Sequence, residues 1–202
     1  ILIQFLWSFD FPINDIKDQC GGNISNCILR TDPPIPNGVY IANGPLVLRG
    51  PTYTFPENKN FVILVSGPLE IHTRIHVPTN STAIFSAAGS IEVETAVGES
   101  PSTTCDIANH SGCTIEGLYS TDDSFSTGQP ARCPTTPSLR LNIAGTVVVN
   151  AGRRGGTFNN YRNLCDNNSL YPGITFTERP DFMLNYPALV TQTNRTWQNV
   201  AP

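Results

Sequence analysis

The sequence predicts an all-β protein, specifically a parallel β-helix, on three observations. The first is a repeat of four segments, each with a glycine flanked by apolar residues two and four positions before and after it. The second is that a spacing of two is strand periodicity, which turns alternate side chains to one face. The third is the spacing of these glycines along the chain, because the first three follow at nearly equal steps and the fourth follows after a longer gap. The four glycines are Gly44, Gly67, Gly89 and Gly145.

A short, regular step of this kind, built from short strands with glycine, proline and asparagine at the corners, is typical of a solenoid. Glycine suits a corner because it reaches backbone angles that other residues avoid. We therefore expect a β-solenoid with coils of about 22 residues. The longer gap between Gly89 and Gly145 leaves room for one irregular coil and an insertion. The alternative is a β-sandwich whose hairpins share a glycine, because sandwiches also space their turns regularly.

The composition agrees with one turn-rich β domain. Charged residues make up 14% of the 202, whereas the chain has 16 glycines and 17 prolines. The net charge of −4 offers no basic surface, which argues against nucleic acid as a partner. We predict no cofactor and no metal, because histidines are few and zinc-like cysteine spacing is absent. Because the first residue is not methionine, we also expect a processed mature chain.

The six cysteines lie in loop-like stretches. Fifteen pairings are possible in principle, and we favour the pairing of neighbours because each bridge then closes a loop rich in Gly, Asn, Ser or Thr. Oxidised bridges predict an extracellular or cell-surface location. Five Asn-x-Ser/Thr sequons are candidate glycosylation sites, although chance alone would give about three. The favoured bridges are Cys20–Cys27, Cys105–Cys113 and Cys133–Cys165, and the sequons begin at Asn23, Asn80, Asn109, Asn167 and Asn194.

The first thirteen residues differ from the rest of the chain. As an extended strand they would place six large apolar side chains on one face, and they are too short to span a membrane. Three interpretations stay open: a cap on the chain's own solenoid, a donor strand for a neighbouring subunit, and a residual anchor or leader. As a donor strand, its subunit interface is predicted to consist of Ile1, Ile3, Phe5, Trp7, Phe9 and Phe11.

The predicted domain organisation has three parts. Residues 1–13 form the extended donor or capping strand, and residues 14–37 a proline-rich linker with a disulfide-pinned cap. Residues 38–202 form the β-helical domain, in which a loop insertion over 99–138 breaks the period. Residues 174–202 are predicted to cap its C-terminal end, because terminal coils need a cover against uncontrolled stacking.

Parallel β-helices include polysaccharide lyases and hydrolases, which need clustered carboxylates on one face. The sequence offers no clear cluster of this kind. Adjacent strand residues face opposite sides, and two histidines separated by four strand positions lie about 13 Å apart, too far to bind one metal. We therefore predict no catalytic residue and no enzyme activity. The side chains weighed are Asp122 with Asp123, Glu92 with Glu94, Asp181 with Arg179, Arg153 with Arg154, and His72 with His76.

Four stretches of the chain carry a resemblance to a known group of proteins: Ile115–Tyr119, Leu139–Val149, Glu178–Asn185 and the terminal Trp197–Pro202. In this order they resemble the C-terminal region of large bacterial surface proteins that are pilus-assembly-like or linked to hormogonium polysaccharide. The resemblance covers roughly residues 38–202. It implies a secreted or surface-displayed structural protein, and it transfers no catalytic residues.

The predicted function is that of a structural subunit in an extracellular filament or pilus-like fibre. The chain would self-assemble into a homo-polymer by inserting its N-terminal strand into a neighbouring subunit, a contact that propagates without closing. The alternative is a secreted polysaccharide-binding or polysaccharide-degrading β-helix protein whose apolar strand caps its own body. Cell-surface polysaccharide is accordingly the second partner considered, and neither nucleic acid nor a membrane span is predicted.

Overall fold

The structure is a computed structural model that describes residues 13–129, 133, 137–149 and 155–184. It consists of two mostly parallel β-sheets with few helices. Three 3-10 helices span Ile16–Cys20, Ile24–Asn26 and Cys165–Ser169, and the helix α1 spans Asp181–Leu184. The strands are β1 (Ile13–Asp15), β2 (Gly38–Ala42), β3 (Leu46–Leu48), β4 (Tyr53–Thr54), β5 (Asn60–Val65), β6 (Leu69–Ile71), β7 (Ile75–His76), β8 (Thr82–Ala87), β9 (Ile91–Val93), β10 (Ile115–Thr121), β11 (Phe125–Ser126), β12 (Leu141–Val149), β13 (Phe158–Asn159) and β14 (Ile174–Thr177).

The larger sheet, sheet A, contains nine of these strands. Its main path runs β1-β2-β5-β8-β10-β12-β14. β7 also pairs with β10, and β4 pairs with β7. Sheet B contains five strands in the order β13-β11-β9-β6-β3. The chain therefore passes back and forth between the two sheets, and each passage adds one parallel strand to the edge of the growing ladder.

The sequence repeat sets the register of the first strands. Val39 pairs with Val62, and Val62 pairs with Ile84, so the paired strands follow the same spacing as the repeated glycines. The first three of these glycines, Gly44, Gly67 and Gly89, stack on one another at the turns between the sheets. A Cβ added to Gly89 would come within 2.8 Å of the Pro68 nitrogen, so the close backbone contact there requires a residue without a side chain.

The predicted parallel β-helix of regular coils is wrong, and the β-sandwich alternative does not fit parallel pairing. The finding is a curled, half-barrel-like sheet A beside sheet B. β10 pairs with β7 through Ile115 and with β8 through Leu118–Thr121. β10 alone therefore pairs along the length that β7, a turn and β8 occupy together in residues Ile75–Ala87. Strands that a β-helix would divide among separate faces consequently belong to one sheet.

The fourth repeat segment also differs from the prediction, because its glycine does not form a corner. Gly145 lies inside β12, opposite Gly117 of β10, and the strand continues to Val149. Gly145 has a φ of +138°, and an added Cβ would collide with the carbonyl oxygen of Gly117. The glycine is required here for the close approach of two strands. β10 itself lies in the predicted insertion 99–138, yet it is a central strand of sheet A.

Alternate side chains of both sheets form one apolar core between them. Ile63 and Phe85 from sheet A and Leu69 and Ile91 from sheet B are all fully buried in it. Phe85 stacks on Tyr119 of the next strand with ring centroids 5.0 Å apart. The disulfide-pinned segment 14–37 closes one end of this core, to which it contributes Ile16, Cys20, Cys27, Leu29 and Ile35.

The opposite, outward face of sheet A carries a second apolar cluster. Its buried members are Val39, Val62, Leu64 and Ile84, and the partly buried Ile41 and Leu118 pack against them. We call these six residues the outward strip. Within the described residues, no helix is long and apolar enough to cross a membrane.

We expect Gly145→Ala to destabilise the protein more than Gly22→Ala. Both glycines have positive φ, but a Cβ at Gly22 would meet nothing within 4 Å. The control therefore measures the cost of the backbone conformation alone, about 1–2 kcal/mol. Gly145→Ala should cost about 1–3 kcal/mol more, because the methyl group overpacks the β10–β12 contact. Urea unfolding with the disulfides intact measures both values, and equal losses would contradict this account of β12.

Candidate functional site

The three disulfides of the structure are the favoured neighbour pairs. Cys20 is bonded to Cys27, Cys105 to Cys113, and Cys133 to Cys165. Cys20, Cys27 and Cys113 are buried. Bonds of this kind persist where thiols are not kept reduced, so the three bridges indicate an oxidising environment.

The predicted subunit interface lies outside the described residues. This applies to all six of its side chains: Ile1, Ile3, Phe5, Trp7, Phe9 and Phe11. The description starts at β1, which directly follows them and pairs with β2 at one edge of sheet A. The donor-strand role therefore stays a prediction.

Four of the five sequon asparagines belong to the described residues. Asn23, Asn80, Asn109 and Asn167 are all exposed. Asn194 lies outside the described residues. The amide of Asn80 donates to Asn58 at 3.0 Å, and that of Asn109 donates to Asp106 at 3.0 Å. A glycan on either of these two would replace one of the two amide hydrogens and leave one N–H able to donate.

The carboxylates weighed in the sequence do not come together in the structure. Glu92 accepts a hydrogen bond from Gln129 at 3.3 Å, and Asp123 is exposed after the end of β10. His72 contacts Glu70 at 3.0 Å, and Arg153 and Arg154 lie outside the described residues. Among the described residues, no group of three or more His, Cys, Asp or Glu side chains could hold a metal ion.

The structure instead assembles a cluster of which the sequence analysis connected only the pair Asp181 and Arg179, and this pair does come together. It consists of Glu116 on β10, Arg179 and Asp181 beyond β14, and the two histidines His76 and His110; we call it the Glu116 cluster. Arg179 donates from Nη1 to Glu116 Oε2 at 2.7 Å, and from Nη2 to Asp181 Oδ2 at 2.7 Å. His110 Nδ1 lies 2.7 Å from Glu116 Oε1.

Backbone groups complete the Glu116 cluster. The amide of Val77 donates to Glu116 Oε2 at 2.9 Å, and Arg179 Nη2 donates to the Val77 carbonyl at 3.0 Å. The guanidinium of Arg179 also lies over the ring of Phe182, 4.1 Å from its centroid. Phe182 is fully buried. Together these contacts fasten α1 and the chain before it to β10 and to the turn after β7.

The two histidines stack at the rim of this cluster. Their ring centroids are 5.1 Å apart and nearly parallel, and the His76 ring nitrogen Nε2 lies 3.2 Å from the Cys113 carbonyl. Burial lowers the pKa of His76 below 6.5, and this effect outweighs the opposing influence of the Cys113 carbonyl and of Glu116. The buried Tyr119 hydroxyl, which donates to the Glu116 carbonyl, has its pKa raised well above 10 by burial and by the Glu116 charge.

The geometry of the Glu116 cluster suits a fastening role better than acid–base catalysis. The side chains of Glu116 and Arg179 are both 0% exposed, and both Glu116 oxygens already have partners. A catalytic acid or base must reach a proton on its substrate, and this carboxylate has no access to one. Burial of two charged groups costs less free energy when each of them has hydrogen-bond and ion-pair partners, as they do here.

A second arginine fastens the end of sheet B. Arg162, after β13, donates to the carbonyls of Thr95, Leu139 and Glu94 at 2.8, 3.1 and 2.9 Å. Burial lowers its pKa to about 10. A guanidinium has five donors in a rigid fork, so one side chain satisfies carbonyls of two separate turns. The sequence places Arg162 in a polar loop and gives no signal of this contact.

Asn142 and Arg140 hold the loop that the Cys105–Cys113 bond closes. The Asn142 amide donates to the carbonyls of Thr103 and Gly112 at 3.0 and 2.7 Å. Arg140 donates to the Pro101 carbonyl at 2.9 Å. These buried polar side chains sit at the start of β12 and fix the loop against the sheet.

Comparison with protein-family models, with curated proteins and with solved structures found no match to this chain.

We expect Glu116→Ala to cost about 3–5 kcal/mol of unfolding free energy, because it leaves the buried Arg179 charge with fewer partners. Glu92→Ala is the matched control: a half-buried strand carboxylate outside the cluster, whose loss should change stability by about 0.5 kcal/mol or less. The double variant Glu116→Ala/Arg179→Met should lose less than the sum of the single variants. Urea unfolding gives all of these values, and additive losses would show that the pair is not coupled.

Stability should fall as pH drops below the ordinary histidine pKa of 6.5. The folded protein binds a proton at His76 less readily than the unfolded chain, so stability rises with pH where the unfolded chain holds more protons. The contribution is fully present above pH 6.5 and declines below it, toward the lowered pKa of the folded state. Unfolding on either side of this pKa, in mildly acidic and mildly alkaline buffer, should show a smaller difference for His76→Gln than for the natural chain. Equal differences would exclude His76 as the source.

Proposed function

We propose that this chain is a secreted structural subunit that assembles end to end with copies of itself into an extracellular, surface-associated filament. The observation that carries the proposal is the pair of sheet edges at opposite ends of sheet A, one of which carries the exposed Phe176. Among the described strands, β1 is outermost at one end of the path and β14 at the other. A strand edge with unpaired N–H and C=O groups is a template for another strand.

The β14 edge offers the apolar contacts that such an assembly needs. Phe176 on β14 is 54% exposed, and Phe158 on the edge strand of sheet B is 38% exposed. Their ring centroids are 6.0 Å apart. The two sheets thus end side by side in one aromatic patch, which we call the aromatic edge. Two large rings exposed together on strand edges favour a protein contact over a solvated surface.

The N-terminal residues 1–12 of a neighbouring copy are the proposed occupant of this edge. They join the described chain at β1, the strand farthest from β14 along sheet A. Six strand steps of about 4.8 Å separate the two edges, so the segment and its proposed partner edge lie about 29 Å apart in one molecule. A contact between opposite ends of one molecule is heterologous, and it builds a filament when the rotation does not close.

The location in this proposal rests on the oxidised cysteines and on the surface sequons. Disulfides are retained in secreted proteins, and Asn-x-Ser/Thr acceptors lie on surface loops of such proteins. The resemblance of residues 38–202 to bacterial surface proteins supports the same location.

Deletion of residues 1–12 tests the assembly. We expect the shortened chain to stay folded and monomeric, because β1 and the disulfide-pinned segment remain, whereas the natural chain forms fibres. Electron microscopy of purified material and sedimentation velocity measure this difference. Fibres from the shortened chain, or monomers from the natural chain at high concentration, would contradict the proposal.

Substitutions at the aromatic edge test the surface that is proposed to receive the N-terminal segment. Phe176→Ser together with Phe158→Ser should abolish fibre formation while the chain stays folded; some stability is lost because Phe158 also stacks on Phe125. Leu170→Ser is the matched control, because Leu170 is 72% exposed and follows the 3-10 helix rather than an edge strand. If the control and the double variant form fibres equally well, the aromatic edge is not the interface.

A further inference from the structure

A small apolar cavity lies where the disulfide-pinned segment meets the turn between β3 and β4. Its volume is about 80 Å³. Leu48, Tyr53 and Ile75 belong to its inner wall and are 1%, 5% and 1% exposed. We call this space the Leu48 cavity. The residues at its mouth are exposed, and they are Ile28, Thr31, Arg49, Pro51 and Thr52.

The walls of the Leu48 cavity are held in place by the fold itself. Cys27 is bonded to Cys20, and its amide donates to the Val47 carbonyl at 2.8 Å. The chain then leaves the ladder, and the Tyr53 hydroxyl holds it again by donating to the Arg30 carbonyl at 3.3 Å. Protein interiors contain few voids larger than a water molecule. A space of this size between two fixed points is therefore suited to a ligand.

The size and the lining of the Leu48 cavity favour a compact aliphatic group. An apolar cavity of about 150 Å³ admits benzene, so this smaller one suits the side chain of valine or leucine. Leu29, Leu48 and Ile75 are buried and offer apolar contacts. The hydroxyls of Tyr53 and Thr73 already donate to backbone carbonyls, so neither requires a polar ligand.

Arg49 sets the charge at the mouth of the cavity. Its side chain is exposed, and no carboxylate in the described part of the chain forms an ion pair with it. Arg30 and Asp32 flank Thr31 along the chain, and their charges are opposite in sign. The mouth therefore favours an anion. A carboxylate fits best, because a guanidinium pairs with it through two parallel hydrogen bonds.

β4 offers backbone groups beside the cavity. It pairs with β7, and no described strand pairs with its other side. Thr52 and Tyr53 line the cavity, and the next residue, Thr54, is exposed. A strand edge binds an extended peptide through its N–H and C=O groups. A polypeptide therefore gains contacts here that a free short-chain acid does not.

We propose that the Leu48 cavity binds the C-terminal end of an extended polypeptide whose last residue is valine, leucine or isoleucine. The aliphatic side chain occupies the cavity, the carboxylate pairs with Arg49, and the preceding residues lie along β4. In a polypeptide, the C-terminal residue is the one that carries a carboxylate and an aliphatic side chain on the same carbon atom. The site is independent of the proposed assembly, because its lining includes neither the aromatic edge nor residues 1–12.

Fluorescence anisotropy with the full chain tests the proposal. The probe is a short glycine–serine peptide with a fluorophore at its N-terminus and a terminal valine that carries a free carboxylate. We expect saturable binding at or below millimolar concentration. A terminal alanine should weaken binding about tenfold, because two buried carbon atoms are lost. A terminal tryptophan should bind no better than alanine, because its ring is too large for the cavity.

The variant Arg49→Gln tests the carboxylate contact. It should weaken binding of the valine-ended peptide about threefold to fivefold, as expected of an exposed ion pair. The same peptide with an amidated C-terminus should bind Arg49→Gln and the natural chain equally. Lys17→Gln is the matched control, because it removes the same charge from an exposed side chain outside the cavity. Equal losses in the two variants would contradict the contact with Arg49.

Photo-crosslinking locates the bound residue. A peptide that ends in photo-leucine, an aliphatic diazirine, should label peptides of the chain that contain residues 27–31 or 51–53, and excess valine-ended peptide should suppress this labelling. Three results would overturn the proposal. They are no saturable binding at millimolar peptide, labelling of other surfaces only, and equally strong competition by free 3-methylbutanoate, which would assign the cavity to short-chain acids.

Discussion

The parallel register of sheet A is the constraint on which the rest of the structure depends. Because each strand pairs with the strand one passage earlier, residues of one type fall on residues of the same type. Tyr40, Ile63, Phe85 and Tyr119 occupy one position on four neighbouring strands. Stacking of this kind fills the core, and it fixes the register, since a slip by one residue would turn every apolar side chain outward.

The same constraint leaves the connecting segments without ladder partners, and buried charges take over there. Arg162 joins the turns that contain Thr95 and Leu139, and Arg179 joins the turn at Val77 to Glu116 of β10. Burial of a guanidinium is costly unless its donors are occupied. Their many contacts indicate that these arginines specify how the loops close over the sheets, while the apolar core supplies the main driving force.

A parallel ladder that grows by one strand at each passage has no natural end, which links the architecture to the proposed assembly. The disulfide-pinned segment covers one end of the core with Ile16 and Ile35, while the aromatic edge stays exposed at the other end. An unpaired strand edge must be covered if the molecule is to stay monomeric. A chain with one covered and one uncovered end is suited to controlled stacking in one direction.

The sequence by itself determined the strands, their alternation and the bridges. The alternation of apolar and other residues predicted β2, β5 and β8 and the sheet B strands that follow each of them. Burial of one strand face is enough to produce this alternation in the sequence. The neighbouring cysteines closed short loops, so proximity along the chain was enough to pair them. The step between the repeated glycines likewise became the pairing distance between strands.

Only the tertiary structure decided the architecture and the buried charges. β10 takes the place of two strands and a turn, and Gly145 lies in mid-strand, because each strand adapts to the neighbour already in place. Glu116 and Arg179 lie far apart along the chain and meet only in the folded protein. The residues around Glu116 and Arg179 give no sequence signal that the two will pair. A buried ion pair depends on side chains that are close in space, and it produces no periodicity along the chain.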